Sequence, residues 1–272
     1  MAIKFNTLHY AGTSGNPADK AGVNGNIIWV LDVATPLWES AFTDNDATFA
    51  IEKLHEALSN VAVTSSTSLR DFLTTGIRTA REEIERQYPD FFRVSPQYRV
   101  TFSVAVARVH ETEVEYLLLG DNILEYELEI GEHVARSFIK DHRIDPFKAA
   151  NKALIANVAK DGKREEAYDE EVLEIYREAR LMANTPGGYP IASFEVSDLD
   201  EALEGVFFTT SQDIPFTVAV YTNGFERRLP GGYPARDYSA FIEAIKYDEA
   251  KHEGAVAFAS REYQLRLHIL HS

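Results

Sequence analysis

The chain has 272 residues, of which 45% are hydrophobic and 26% are charged, a composition typical of a soluble globular protein with a full core. It contains no cysteine, which excludes disulfide bonds, thiolate zinc sites and a cysteine nucleophile. A formal net charge of -16 argues against nucleic acid or an anionic membrane as a main partner, and suits divalent cations or basic segments of another protein. The sequence has no apolar run long enough to span a bilayer and no signal peptide, so we expect a cytoplasmic protein with no membrane partner.

The first third of the chain is predicted to contain two strands followed by two helices. Segments 3–12 and 26–34 are rich in β-forming residues. Apolar residues recur at helical spacing in 47–61, which predicts a first helix. Ser68 and Asp71 resemble a capping box, which predicts that a second helix begins there.

The remainder alternates between β and helical patterns. Closely spaced β-rich segments from 98 to 140, with turns at Gly120 and Gly131, predict an antiparallel meander. No linker or internal repeat divides the chain, so we expect a single domain, residues 1–272, in which sheets pack together with helices outside. The other predicted elements are a helical region at 146–183, strands at 205–211 and 216–224, a helix at 236–250, and strands at 254–260 and 263–270.

One apolar segment, NIIWVLDVATPL at 26–37, ends on a carboxylate, Asp32. Taken alone, Asp32 is most simply a turn-capping residue. The alternative is a metal-binding or catalytic carboxylate at the mouth of a rigid sheet. Other acidic or amide residues recur where predicted strands begin or end, and this repetition favours a functional site: they are Asp19, Asp121, Asn223 and Glu253.

Short motifs spread over nearly the whole chain resemble, in their order, those of the PPM-type (type 2C) metal-dependent protein phosphatases. No single motif is specific, but the shared order identifies the chain as similar to a divergent bacterial or phage-like member. The resemblance implies an α/β (α+β) sandwich of two packed, mostly antiparallel sheets flanked by helix pairs. The motifs are NPADKAGV with Asp19, WVLDVATPL with Asp32, Gly120-Asp121-Asn122, ANTPGGYPIAS, Thr222-Asn223-Gly224 and Glu253-Gly254-Ala255-Val256.

The resemblance also implies a chemistry. In the family, acids equivalent to Asp32 bridge two Mg²⁺ or Mn²⁺ ions between the sheets, and a water between the ions attacks the phosphorus of phosphoserine or phosphothreonine. It therefore implies that Asp32 is a catalytic residue and a metal ligand. The other implied ligands are Asp19, the Val33 carbonyl, Asn223 and Glu253, all oxygen donors of the kind that hard cations prefer. The implied partner is a phosphoprotein or another protein.

The chain departs from the family pattern at several of these positions. Asn223 replaces a carboxylate with a neutral amide, and Val33 replaces a glycine. No arginine precedes Asp19, so Lys20 is the expected substrate-phosphate ligand, although it offers a point charge rather than a fork. Asp121 is expected to shape the fold rather than bind metal. We expect weakened or lost Mn²⁺ or Mg²⁺ binding, and two functions stay open: a phosphatase, or an inactive pseudophosphatase acting as a binding or regulatory protein.

Overall fold

A computed structural model describes residues 3–10, 18–130, 133–160, 165–208, 214–222 and 254–261. Its helices are α1 (Asp46–Asn60), α2 (Leu69–Gln87), α3 (Asp145–Lys160) and α4 (Glu165–Leu181), with short 3-10 turns at Pro96–Tyr98 and Val196–Glu201. Its strands are β1 (Lys4–Tyr10), β2 (Lys20–Asn24), β3 (Ile27–Val33), β4 (Thr101–Val109), β5 (Glu113–Leu119), β6 (Ile123–Ile130), β7 (His133–Lys140), β8 (Ala192–Ser193), β9 (Leu203–Phe208), β10 (Phe216–Tyr221) and β11 (Gly254–Arg261).

The strands form two sheets whose pairings are all antiparallel within the described residues. Sheet A has the order β1-β11-β10-β6-β7, and sheet B has the order β2-β3-β4-β5-β9, with β8 added beside β4. The sandwich of two antiparallel sheets with helices that the sequence predicted is confirmed.

The predicted meander over 98–140 is wrong in one respect. β4 pairs with β5 and β6 pairs with β7, but β5 and β6 belong to different sheets. The chain therefore crosses from sheet B to sheet A at Gly120-Asp121-Asn122. Gly120 has a φ of 92°, a left-handed conformation that glycine adopts without strain, and this allows the change of direction.

Sheet B is buried on both faces, which explains why β3 reads as a continuous apolar run. Ile28 and Val30 face sheet A in an inner core built largely from alanine and valine. Trp29 and Leu31 point the other way, into an outer core against α1 and α2. Because strand residues alternate between faces, β3 carries apolar residues at every position until Asp32.

The helix pair α1 and α2 covers the outer face of sheet B. The predicted capping box is present, since Ser68 accepts from the Asp71 N–H and Asp71 accepts from the Ser68 N–H. The two helices approach closely at Gly76, where a Cβ would lie 2.3 Å from a Leu58 methyl group. The helices therefore fix the outer core.

Several elements differ from the sequence prediction, and others lie outside the described residues. The helical region at 146–183 is two helices, α3 and α4. β2 is an additional strand, paired with β3 through a turn at Gly25. The predicted helix at 236–250 and strand at 263–270 lie outside the described residues. Across the described ranges, none of the helices combines the length and apolarity needed to cross a membrane.

Candidate functional site

Polar residues meet on the inter-sheet face of sheet B, at the end of β3. Ile28 and Val30 face the inner core, so strand alternation puts Asp32 on the same face. The β3–β4 register pairs Asp32 with Ser103. Continuing the β2–β3 register by one residue puts Asp19 opposite Asp32. Asp19, Asp32 and Ser103 therefore form a row across three adjacent segments.

Asp121 joins this row from the crossover between the sheets. The Ser103 hydroxyl donates to Asp121 Oδ1 at 2.7 Å, and the Asp121 backbone N–H donates to Ser103 Oγ at 3.2 Å. Gly120 makes the approach possible, because a Cβ there would lie 2.4 Å from Ser103 Oγ. Lys148 of α3 forms an ion pair with Asp121 Oδ2. Asp121 is only 3% exposed, and it is bonded both to Ser103 of sheet B and to Lys148 of the helix pair.

A second buried acid supports the same crossover. Asp141, at the end of β7, is 1% exposed and accepts from Arg143 Nε at 2.9 Å and Nη2 at 2.8 Å. The Gly120 N–H donates to Asp141 Oδ2 at 3.4 Å. The Arg143 guanidinium also donates to the Glu201 carbonyl at 2.6 Å. The turn that carries Asp121 is thus bonded to Asp141, which charge-assisted hydrogen bonds from Arg143 hold in place.

A cleft of about 440 Å³ opens between this end of sheet B and the helix pair α3 and α4. The size is in the range of small-molecule sites. The helix pair is tied to the loop after β3, because Arg180 Nη2 donates to the Thr35 carbonyl at 3.2 Å and Arg177 Nε to the Leu37 carbonyl at 3.0 Å. The charged residues in the cleft wall are Asp32 and Asp121 on the sheet side, with Lys148 and Arg180 opposite; the uncharged polar residues there include Ser103, Asn151 and Tyr189.

The helix side of the cleft carries a cation beside a phenol. Burial lowers the pKa of Arg180, and the neighbouring Tyr189 hydroxyl partly opposes this effect. Burial raises the pKa of Tyr189 above its ordinary value of 10.0, so the hydroxyl stays neutral at physiological pH. The Tyr189 ring packs on Phe147, with centroids 5.1 Å apart. The cleft thus sets fixed cations opposite carboxylates.

The donor chemistry at the end of β3 fits a hard divalent cation. Asp19 and Asp32 offer carboxylate oxygens of the type that Mg²⁺ and Mn²⁺ prefer. The Ala34 N–H donates to the Thr101 carbonyl at 3.1 Å, which leaves the Val33 carbonyl pointing away from β4, toward the side of Asp19. In addition, the carboxamide of Asn122 is 0% exposed and lacks a hydrogen-bond partner among the described residues. Asn122 does not line the cleft, so the fit of a cation rests on the carboxylates and the Val33 carbonyl.

The predicted substrate ligand Lys20 is not brought to this row. Lys20 pairs with Leu31, whose side chain faces the outer core, and the Lys20 ammonium lies 3.4 Å from Glu52 of α1. Lys20 is therefore on the face of sheet B opposite to Asp32. Because the Lys20 ammonium lies beside α1, sheet B separates it from any ligand bound in the cleft.

The ends of β10 and β11 lie beside the crossover. The register pairs Tyr221 with Ile123, which follows the Asp121 turn, and Thr222 N–H donates to the Ala255 carbonyl at 3.0 Å. The predicted ligands Asn223 and Glu253 adjoin these ends in sequence but lie outside the described residues.

Sequence reasoning missed several cleft residues: Ser103, Lys148, Arg180 and Tyr189. Ser103 is one of two hydroxyl-bearing residues in a largely apolar strand, which is a weak signal. Tyr189 lies in the ANTPGGYPIAS motif, so that motif could have indicated it. Lys148 and Arg180 lie on helices whose charged residues gave no reason to prefer one over another.

Comparisons with known proteins bear on the fold. No protein-family model and no curated protein sequence matches the chain. Solved structures do match. PppA, a key regulatory component of T6SS in Pseudomonas aeruginosa, aligns with a TM-score of 0.55 at 13% identity over 96% of this chain and 99% of PppA. The Mycobacterium tuberculosis serine/threonine phosphatase PstP/Ppp aligns with a TM-score of 0.55 at 11% identity over 97% of this chain and 100% of its own.

A third match is the S. agalactiae serine/threonine phosphatase, with a TM-score of 0.52 at 16% identity over 96% of this chain and 100% of that one. The chain therefore has the fold of the PPM-type serine/threonine phosphatases, as a divergent example. The catalytic domain of PstP, matched with a TM-score of 0.50 at 10% identity over 96% of this chain and 99% of its own, was solved in complex with two manganese ions. At these identities the likeness defines the fold.

Proposed function

We propose that this protein is a metal-dependent phosphatase that hydrolyses phosphoserine or phosphothreonine in a partner protein. The observation that carries the proposal is the row of Asp19, Asp32 and Ser103 beside the Asp121 crossover, at the mouth of the cleft. A capping role for Asp32 would not explain why polar groups from separate segments converge on one face.

Asp32 and Asp19 would hold the cations, with the Val33 carbonyl as a neutral donor. Two bound divalent cations would supply an acidified water nucleophile and charge stabilisation on the phosphoryl oxygens. Asn223 and Glu253 are proposed to complete the ligand set from the ends of β10 and β11. Ser103 would act indirectly, by holding the Asp121 carboxylate in a fixed orientation through its hydrogen bonds.

Arg180 replaces Lys20 as the proposed ligand for substrate phosphate. Its guanidinium lines the cleft, whereas Lys20 faces α1. A planar fork of donors binds phosphate oxygens in pairs, which an ammonium cannot do. The hydrogen bond from Arg180 Nη2 to the Thr35 carbonyl would orient the fork before substrate arrives. Replacing Arg180 with lysine should raise KM for a phosphopeptide by about tenfold, since it keeps the charge and loses the fork.

A pseudophosphatase is the second candidate, and a specific contact favours it. The Lys148 ammonium occupies one oxygen of Asp121, so a cation already neutralises this part of the cleft. The neutral amide of Asn223 also removes a charge that a hard cation needs. In this case the cleft and helix pair would bind a phosphoprotein without turnover.

Calorimetric titration with Mn²⁺, followed by an aryl-phosphate assay on the same sample, separates the candidates. Binding with turnover supports the phosphatase, and binding without turnover supports the pseudophosphatase. Asp32→Asn should weaken Mn²⁺ binding by more than tenfold. The matched control is Asp198→Asn, because Asp198 is similarly half-buried and hydrogen-bonded to Ser193 but lies outside the cleft wall. Equal Mn²⁺ binding by both variants would reject the site.

Asn223→Asp tests the weakened-site interpretation. It restores one negative charge to the proposed ligand set, so Mn²⁺ affinity should rise. Activity that rises with affinity identifies a weakened phosphatase. Affinity that rises alone identifies a pseudophosphatase with a recoverable site, and no change in either would remove Asn223 from the ligand set.

A further inference from the structure

A second cluster of metal-binding side chains lies at the opposite end of sheet B from the cleft. It is carried by the hairpin that joins β4 to β5, which closes through a hydrogen bond of 2.9 Å from the His110 N–H to the Glu113 carbonyl. One ring nitrogen of His110 and one carboxylate oxygen each of Glu113 and Glu115 lie within 4.8 Å of one another. The sequence analysis did not single out these residues.

The hairpin register puts the three side chains on one face. Arg108 pairs with Glu115 and Val109 pairs with Val114, so His110 stands opposite Glu113. Alternation along β4 from Val106, which faces the outer core, assigns Arg108 and His110 to the helix-facing side. All three candidate ligands are therefore on the opposite face of sheet B from Asp32.

One of the carboxylates is held in place by a buried arginine. Arg108, 5% exposed, donates from Nη1 to Glu115 Oε2 at 3.3 Å and from Nη2 to the Thr67 carbonyl. This leaves Glu115 Oε1 directed at His110, with the two atoms 3.5 Å apart. The His110 side chain is 37% exposed, but its Nε2 atom is shielded from solvent and makes no hydrogen bond within the part of the chain that the structure describes. The imidazole thus presents a lone buried nitrogen to a fixed carboxylate oxygen.

We propose that His110, Glu113 and Glu115 form a Zn²⁺ site that is independent of the cleft. Zn²⁺ bonds of about 2.0–2.2 Å to nitrogen and oxygen in a tetrahedron require ligand atoms about 3.4 Å apart, close to the 3.5 Å between His110 and Glu115. A mixed nitrogen and oxygen set favours Zn²⁺ over Mg²⁺, which prefers oxygen alone. Three protein ligands leave a fourth position for water.

The geometry separates this site from the proposed phosphatase centre. Ser103 and Val109 are six positions apart on β4, so the two ends of the strand are roughly 20 Å apart. Bound Zn²⁺ would join the two strands of the β4–β5 hairpin next to its turn. Because it would bind the folded hairpin and not the unfolded chain, it would also stabilise the fold.

Calorimetric titration of the full chain with ZnCl₂ tests the site, in an Asp32→Asn background that disables the cleft acid. We expect one equivalent of Zn²⁺ to bind there, and binding to weaken by more than tenfold when His110→Ala or Glu113→Gln is added. Two variants are used so that a folding defect in one does not decide the result. The control is His142→Ala, because His142 lies 2.7 Å from the single carboxylate of Asp145. It should leave the Zn²⁺ isotherm unchanged.

Two outcomes would overturn the proposal. One is that the Asp32→Asn protein binds no Zn²⁺, which would make the cluster an ordinary ion pair between His110 and Glu115. The other is that His110→Ala and Glu113→Gln both leave the isotherm unchanged. In otherwise wild-type protein, His110→Ala should leave Mn²⁺ titration of the cleft unaltered. The two proposals can therefore fail separately.

Discussion

The two ends of sheet B show two ways to assemble polar side chains. At the cleft end, Asp32, Ser103 and Asp121 come from β3, β4 and the crossover between sheets, and a helix pair closes the far wall. At the hairpin end, the candidate ligands come from two adjacent strands and lie partly exposed. The cleft end thus needs most of the tertiary structure, whereas the hairpin end is built mainly by local β pairing, with one long-range hydrogen bond from Arg108 to the Thr67 carbonyl.

This difference has a consequence for the energetics of each end. A site built by long-range contacts shares its residues with the core, so changes there should affect folding and ligand binding together. A site on a local hairpin can lose a ligand with little effect on the rest of the fold. The crossover at Gly120 and the turn at Gly25 allow a direct comparison, since both glycines have positive φ and they lie at opposite ends of the sheet.

Gly120→Ala should have the largest effect. A Cβ would meet Ser103 Oγ at 2.4 Å and Ser103 Cα at 2.9 Å, in addition to the strain of a positive φ. We expect a loss of about 3 kcal/mol in the free energy of unfolding. Gly25→Ala is the control, because its φ is 59° but nothing lies within 4 Å, so it should cost about 1 kcal/mol. Urea unfolding measures both, and equal losses would contradict the crowding of the crossover.

Arg108→Met should destabilise more than Lys148→Met. Arg108 is buried and bonded to both Glu115 and the Thr67 carbonyl, so its loss leaves acceptors unpaired and should cost about 2 kcal/mol. The Lys148 side chain is 45% exposed, so water screens its ion pair and the cost should stay below about 1 kcal/mol.

The two variants should act on different metals. Lys148→Met removes a positive charge from the cleft and should tighten Mn²⁺ binding there, whereas Arg108→Met should weaken Zn²⁺ binding at the hairpin about tenfold. Calorimetry on each variant with both metals checks this. A change in Zn²⁺ binding by Lys148→Met, or in Mn²⁺ binding by Arg108→Met, would show that the two ends are coupled.

Ser103→Ala should cost about 1 kcal/mol, because it removes the hydroxyl that bonds the buried Asp121. Thr101→Val is the matched control on the same strand. The Thr101 hydroxyl is buried and has no hydrogen-bond partner among the described residues, so its replacement should cost nothing or stabilise slightly. Thermal unfolding should separate the two, and a larger loss in Thr101→Val would contradict the assigned hydrogen bonds.

Tyr189→Phe should have the smallest effect, and this effect should depend on pH only in the alkaline range. Burial raises the pKa of Tyr189 in the folded protein above 10.0, so the folded state holds this proton more tightly than the unfolded chain. The resulting stability is present below pH 10.0 and is lost as the pH rises through the folded-state pKa. The difference in unfolding free energy between wild type and Tyr189→Phe should shrink over that range. A constant difference would mean that Tyr189 titrates normally.

Among the described residues, the sequence by itself determined most of the elements, although it missed β2 and the division of 146–183 into α3 and α4. The apolar run of β3, the spacing of Ile51, Leu54 and Leu58 in α1, and the capping box at Ser68 are local signals, and each is present in the structure. It also indicated Asp32, because a carboxylate after an uninterrupted apolar strand is visible without knowing its neighbours. The shared order of the short motifs then pointed to the correct fold, although the identity to the solved structure of PppA is only 13%.

Only the tertiary structure decided which side chains share a space. β5 and β6 are both good strands, and nothing in their sequences shows that the chain changes sheet between them at Asp121. Lys20 and Asp32 are both predicted site residues, yet strand alternation sends them to opposite faces. Lys148, Arg180 and Tyr189 enter the cleft because α3 and α4 dock against the end of sheet B. Contacts between residues far apart in sequence depend on packing and register, and a local pattern cannot encode either.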